Sequence, residues 1–419
     1  MLRVLLVVVA VVALTAVLFQ VLARESPALS DALARASREQ RVVLVDYFTT
    51  WCAPCKRMDE TTWKDPRVQA WLDTRGVLVR LDAERETELA TRHGIDAYPT
   101  VLVLRADGTV VDRLVGFRDA KTLLADVEAA LDGRDSVTRA KEASADKPND
   151  PMRRGRYADE LVRAGRHAEA LAEYLWCFDH GNETPGYYGV RLSFLLSSIE
   201  ELAEEYPPAL DALRERRDAA EARLLAGADS DADVADALEL NDRLGEPGRS
   251  LELVDRLLAN GPLSAALKFQ MLSRLVEPLG LAGRYRQLLA LTDAPVAFVD
   301  YQLRTHAFLA KGPEAHEGRV NERLQRESVV AATLVYEALL DAGREAEARE
   351  LVDTVLDRDA SAATFALLVA SAARVHSQTE LDRLEQRARA TLPAETIGEV
   401  ERALRRGRDA QAGVGDDRR

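Results

Sequence analysis

Strand-forming sequence is confined to the first third of this 419-residue chain, and the remainder is written almost wholly in helix-forming residues. Up to about Gly133, β-branched runs such as "VVLVDYF" and "VLVRL" alternate with stretches of helical spacing. From Pro151 to Leu404 the text is Ala, Leu, Glu and Arg at helical spacing, broken only by Gly, Pro or Asp. A chain divided in this way predicts an α/β domain followed by an all-α domain. Hydrophobic residues make up 47% of it, which is enough for a core in each part. The net charge of -14 argues against a nucleic-acid partner, which is reached through clustered Lys and Arg. Only Cys52, Cys55 and Cys177 occur, so a disulfide framework is excluded and a zinc site would lack its second pair of ligands. The six histidines show no ligand spacing, so neither metal nor cofactor is expected.

The α/β part, residues 30–133, divides into recognisable elements. "SDALARASREQ" offers a helix from Ser30, and Val42 to Phe48 is an apolar run of buried-strand type with one carboxylate, Asp46, inside it. A carboxylate there costs several kcal/mol unless paired or protonated, so it serves either chemistry or a buried ion pair. After "TTWCAPC" a helix runs through Met58, and a second starts with Asp65 as N-cap and Pro66 at its first position. Val77 to Leu81 is a further strand, "ERETELATRHG" a helix closed by Gly94, and Asp107-Gly108 joins two strands as a hairpin. In the last helix Leu123, Leu124, Val127 and Leu131 share a face. The order implies a mixed sheet with helices on both faces.

Two segments flank these domains. Residues 4–23 carry no charge and are almost all Val, Leu and Ala, long enough at about 1.5 Å per residue to span a bilayer. Residues 1–24 are therefore expected to be an N-terminal membrane anchor or a cleaved signal peptide, with the body extracytoplasmic, or exported if the segment is cleaved. Residues 134–150, charged and free of aromatics, read as a linker, and residues 405–419 as a disordered tail.

The first domain resembles the thioredoxin superfamily. The residues that carry the resemblance are Trp51-Cys-x-x-Cys-Lys56, Asp46 six positions before Cys52, Pro99-Thr100 opening the next strand, and Gly116 after the hairpin. The opening helix and "DETTWKDPRVQAWL" make it similar to the domains of membrane-tethered disulfide reductases. The resemblance implies a cis Pro99 beside the cysteines, Arg80 in place of the lysine that pairs with Asp46, and Asp59 as a supporting carboxylate.

Cys52 is expected at a helix N-terminus, where backbone N–H groups and the helix dipole favour the thiolate that attacks a disulfide. Cys55, three residues on, resolves the mixed disulfide, and the Cys52–Cys55 pair is then the only redox group required. Pro54 stiffens the turn, and Asp46 takes and returns the Cys55 proton. Trp51, Pro54, Tyr98, Thr100 and Gly116 are expected along the substrate surface, with backbone at Tyr98 and Pro99 adding a short strand beside an extended substrate segment, and Lys56, Asp59 and Arg80 in support. Trp51 and Tyr98 could equally pack the edge of the site, and Asp59 could be a solvated helix residue. Ala53-Pro54, without histidine between the cysteines, indicates a reductant or isomerase-like protein rather than a primary oxidant.

In the helical part, "RAGRHAEALAEYL" and "DAGREAEARELVD" share an Ala-Gly-Arg-x-Ala-Glu-Ala core, and "GEPGRSLELVDRLL" and "LAGRYRQLLAL" repeat the Gly-Arg pair. Gly165, Gly248, Gly283 and Gly343 are expected to mark turns between paired helices. The pattern resembles degenerate tetratricopeptide repeats, which implies a curved surface able to recruit a partner. Cys177 sits in an apolar stretch and reads as core. Two functions are compatible with this sequence. One is a membrane-tethered thiol-disulfide oxidoreductase acting on protein substrates with an unidentified electron donor. The other is a scaffold or holdase that uses the first domain for docking.

Overall fold

The computed structural model describes residues 26–309 and 318–416, so the apolar segment 4–23 lies outside the described residues. No helix among the described residues is long and apolar enough to cross a membrane. The chain divides into two compact units, the first ending at Tyr206 and the second beginning at Pro207.

The first unit begins with α1 (Pro27–Glu39), β1 (Val42–Phe48), α2 (Ala53–Glu60), α3 (Pro66–Arg75) and β2 (Gly76–Asp82). It continues through α4 (Thr87–Arg92), β3 (Thr100–Leu104), β4 (Val110–Val115) and α5 (Ala120–Leu131). The sheet order is β2-β1-β3-β4, with β1 and β2 parallel and the other two pairings antiparallel, so it is the expected mixed sheet. The opening helix starts at Pro27 rather than Ser30, because Leu29 is buried against the sheet and needs helical geometry to get there.

The two-residue period of a strand explains the placement of Asp46. Val43, Val45 and Tyr47 face one way and pack with Leu29, Ala32 and Leu89 of α1 and α4. Leu44 faces the other way, into a core with Met58, Trp63, Val68, Leu123 and Val127 from α2, α3 and α5 and the turn before α3. Asp46, two positions on from Leu44, is directed to that second face, beneath the cysteine-bearing helix. Because helices cover both faces, the strand reads as a continuous apolar run rather than an alternation, and only the carboxylate breaks it.

The stretch expected to be a linker is largely helical. Ser136–Asp146 forms α6, capped by Asp135, whose side chain accepts from the Thr138 N–H. Asp112 of β4 accepts from the Ser136 N–H at 2.9 Å and stands 3.0 Å from Arg139, so α6 is tied to the sheet rather than spanning a gap. Then come α7 (Pro151–Arg163), α8 (His167–His180) and α9, residues 188–205, which includes a π-helical turn over Arg191–Leu195. Cys177 is buried, its thiol donating to the Pro151 carbonyl at 3.4 Å, and burial pushes its pKa up to about 12.

The second unit is helical throughout its described residues. Its helices are α10 (Pro208–Leu225), α11 (Asp231–Arg243), α12 (Gly248–Asn260), α13 (Ala265–Leu281), α14 (Tyr285–Ala290) and α15 (Pro295–Leu309). They continue as α16 (Gly318–Asp341), α17 (Glu345–Leu356), α18 (Ala362–Arg374), α19 (Gln378–Thr391) and α20 (Ile397–Asp416). The tail expected to be disordered from residue 405 instead extends α20, whose Val400, Ala403 and Leu404 are buried in the core of the unit and anchor it.

Gly165, Gly283 and Gly343 do end helices in the left-handed region, at φ 70°, 65° and 69°. The Arg that follows each donates its N–H back into the preceding helix. Arg166 and Arg344 then pair with Glu169 and Glu347 at the same 2.6 Å, so the two most alike segments fold alike. Gly248 does not mark a turn. It is the first residue of α12, and the left-handed turn before it is made by Gly245 at φ 73°. The helix-helix turns are therefore not evenly spaced along the chain.

Candidate active site

Cys52 and Cys55 are joined in a disulfide of S–S 2.04 Å. Cys52 is the N-cap of α2, and the Cys55 N–H donates to its Sγ at 3.1 Å. Once the disulfide is reduced, the same N–H and the positive end of the helix favour the Cys52 thiolate over the thiol. Pro54 occupies the first turn of α2, where its missing N–H leaves no bond unmade. Both cysteines are buried, while Trp51 beside them is 64% exposed.

Trp51 fixes the cysteine loop against its neighbours. Its indole N–H donates to Glu84 at 2.9 Å, and its ring meets that of Tyr98 edge-on at 6.0 Å. The Tyr98–Pro99 peptide bond is cis, as the resemblance implied, and the ring contact brings this turn alongside the cysteine loop. The Pro99 carbonyl accepts from the Gly116 N–H at 2.8 Å, and Gly116 holds φ at 86°, a conformation that a side chain would strain. Thr100 departs from its expected place on the substrate surface. It is buried, and its hydroxyl donates to the Ala97 carbonyl at 2.8 Å, so it braces the turn from inside. Lys56 is exposed on α2.

Beneath α2 lies a group of charges and one indole. Asp46 is 1% exposed and accepts from Arg80 Nε at 2.9 Å. Arg80 Nη2 stands 2.6 Å from Asp59 Oδ1, so one guanidinium joins the buried carboxylate to a half-exposed one, and it also stacks on Phe48 at 4.5 Å. Both readings of Asp46 hold together: it is ion-paired, and burial still outweighs Arg80 and raises its pKa to about 6. Asp59 raises it further, while the nearby Trp63 indole lowers it. Trp63 is buried in the turn before α3, and neither its Nε1 nor Asp46 Oδ1 has a hydrogen-bond partner.

Trp63 is the residue that the sequence reading passed over. The available signal was a tryptophan in the short turn between two helices, at a place where a polar or small residue would serve. No group of three or more His, Cys, Asp or Glu side chains that could hold a metal occurs among the described residues.

The profile of the Thioredoxin-like domain family matches residues 29–131. Over 94 residues the chain is 31% identical to thioredoxin of Bacillus subtilis, covering 22% of this chain and 86% of that protein. It is 32% identical over 105 residues to the thiol:disulfide interchange protein DsbD of Ralstonia nicotianae, covering 24% of this chain and 17% of that one. The solution structure of a thioredoxin from Thermus thermophilus matches at 29% identity and TM-score 0.23, covering 24% of this chain and 82% of that one. The chain spans about half the length of several other curated relatives, among them the chloroplastic thioredoxin Y of rice at 54%. With Cys52 of the disulfide pair capping its helix, the cis proline beside it and the buried carboxylate below, this chain belongs through its first domain to the thioredoxin family.

Proposed function

We propose that the chain is a thiol-disulfide oxidoreductase that reduces or exchanges disulfides in protein substrates. One observation carries the reading: Cys52 caps a helix that carries Cys55 in its first turn and whose underside holds a buried carboxyl of raised pKa. In the reduced protein the Cys52 thiolate attacks one sulfur of a substrate disulfide, forming a mixed disulfide and releasing the other sulfur as a thiolate. Asp46 accepts the Cys55 proton, directly or through water, and the Cys55 thiolate attacks Cys52 Sγ. The Cys52–Cys55 disulfide forms and the second substrate thiol departs with a proton, so two electrons have moved from protein to substrate. A carboxyl with a pKa near 6 is suited to this exchange because both of its protonation states are populated close to neutral pH.

Three finer points belong to the same proposal. The absence of histidine between the cysteines supports a reductant or isomerase-like direction, fed by an electron donor yet to be identified. The apolar segment 4–23 supports attachment to a bacterial membrane with the body on the periplasmic side. The recurring Gly-Arg turns support tetratricopeptide-like recruitment of partner proteins by the helical part. Insulin reduction by the full chain, with Cys52→Ser as control, tests the activity: turnover no faster than the control would leave the scaffold reading in its place. Carbonate extraction of membranes and protease access to intact and opened cells test the location.

A further inference from the structure

The strongest feature outside the redox site is a cavity of about 730 Å³ within the first unit, bounded by the strand β4 exit, α5, α6 and α7. In a chain of net charge -14 its wall is cationic, with five arginines against three carboxylates, Asp126, Asp159 and Glu160. Two of the three are paired with arginines of the protein, and the third, Asp159, is bonded to a neutral hydroxyl. Asp126 is held by Arg118 at 2.9 Å and Arg139 at 3.4 Å, Glu160 by Arg163 at 2.8 Å, and Asp159 accepts from the Tyr174 hydroxyl at 2.7 Å. Arg153 is taken up by Asp146 at 3.0 Å and Asp150 at 3.6 Å. Arg156 lines the cavity, is exposed, and has no ion pair among the described residues.

The cavity begins where the substrate surface ends. Phe117 lines it and directly follows Gly116, whose N–H is bonded to the Pro99 carbonyl. Arg57, two residues after Cys55, stacks its guanidinium on the Phe117 ring at 4.4 Å. Exposed positive charge thus runs from Lys56 and Arg57 on the catalytic helix, across Phe117, to Arg156.

We propose that this cavity binds an acidic segment of the substrate polypeptide flanking the disulfide to be reduced, with Arg156 as its principal contact and Arg57 along the path. The inference rests on the oxidoreductase reading for its substrate, but the binding itself does not require chemistry. Opposite charge raises the encounter rate and selects partners, and both effects weaken as salt screens them.

The test uses the full chain in detergent and two synthetic peptides that carry one internal disulfide, flanked by Glu and Asp in one and by Gln and Asn in the other. Reduction by the pre-reduced protein is expected to be about tenfold faster for the acidic peptide at low salt. Arg156→Glu is expected to erase that gap while leaving reduction of the neutral hydroxyethyl disulfide unchanged. Equal rates for the two peptides, or a gap that survives Arg156→Glu, would overturn the proposal. Loss of the gap with phosphate but not with chloride at matched ionic strength would also overturn it, reassigning the cavity to a small anion. If neither disulfide is reduced, fluorescence anisotropy of the labelled peptides on the oxidised chain decides separately: tighter binding of the acidic peptide, lost in Arg156→Glu, sustains the cavity even as the oxidoreductase reading fails.

Discussion

Replacing Asp46 with Asn is expected to stabilise the first unit and slow its chemistry, with a pH dependence that identifies the cause. The Asp46 carboxyl binds its proton more tightly in the fold, with a pKa of about 6, than at its ordinary value of 3.8. Its contribution to stability is therefore fully present below about pH 4 and is lost as pH rises through 6. Two pKa units correspond to about 3 kcal/mol, and with the side chain almost fully buried no discount for solvent screening applies. Asn stays neutral at every pH, so the variant escapes that cost at pH 8. Its amide nitrogen must, however, face either Arg80 or Trp63, both donors, which takes back about 1 kcal/mol. The net gain at pH 8 is then about 2 kcal/mol, or roughly 1 M in the urea midpoint for a slope near 2 kcal/mol/M, and it turns into a loss approaching about 1 kcal/mol below about pH 4. Trp51, Trp63, Trp71 and Trp176 all lie in the first unit, so tryptophan fluorescence of the oxidised chain follows that unit alone. Equal midpoints at pH 8, or a gain that does not vary with pH, would show that Asp46 is not a desolvated carboxylate and would remove the basis for its role as proton carrier.

Three further outcomes are expected. Trp63→Phe removes the indole N–H that lowers the Asp46 pKa, so the apparent pKa in the pH–rate profile should rise while far-ultraviolet circular dichroism stays unchanged; an unmoved profile would leave Trp63 as packing only. Gly116→Ala forces a side chain to φ 86°, which should destabilise the first unit by about 1–2 kcal/mol in the same urea assay and slow turnover by disturbing the turn bonded to Pro99. With its pKa pushed up to about 12 by burial, Cys177 should be silent to thiol reagents in the native oxidised chain, giving one reactive thiol on denaturation and three after reduction; a native count of one would contradict its burial.

The parts of the fold legible in the sequence were those written in local chemistry. The strand Val42–Phe48 was bounded by its own composition, and the Asp65-Pro66 start of α3 by capping geometry, with the Asp65 side chain accepting from the Arg67 N–H. The segment 134–150 was misread because its composition is that of a linker, yet Asp135 is a good N-cap and Ser136 finds Asp112 on β4. That partner lies more than twenty residues away, and local composition carries no record of it. The same holds for Gly248: Gly-Arg was present, but the left-handed residue proved to be Gly245, three positions earlier, and only backbone geometry separates the two.

What the sequence could not separate is a carboxylate kept for architecture from one kept for chemistry, because both read as an acid in an apolar run. Bonding of the second oxygen distinguishes them. In the second unit, Glu221 meets Arg249 through both oxygens, with Arg256 also on Oε2, Glu337 bonds Arg374 and the Tyr285 hydroxyl, and Glu380 bonds Arg349 and the Tyr336 hydroxyl. Each of these has both oxygens held by strong donors, as a buried structural charge requires. Asp46 has Arg80 on Oδ2 and no hydrogen-bond partner on Oδ1. A fully bonded carboxylate has nowhere to put a proton, whereas Asp46 keeps one oxygen open to it on the face of the sheet that the cysteine helix covers. The incomplete bonding that would be a defect in the helical unit is what allows this carboxyl to take and return the Cys55 proton.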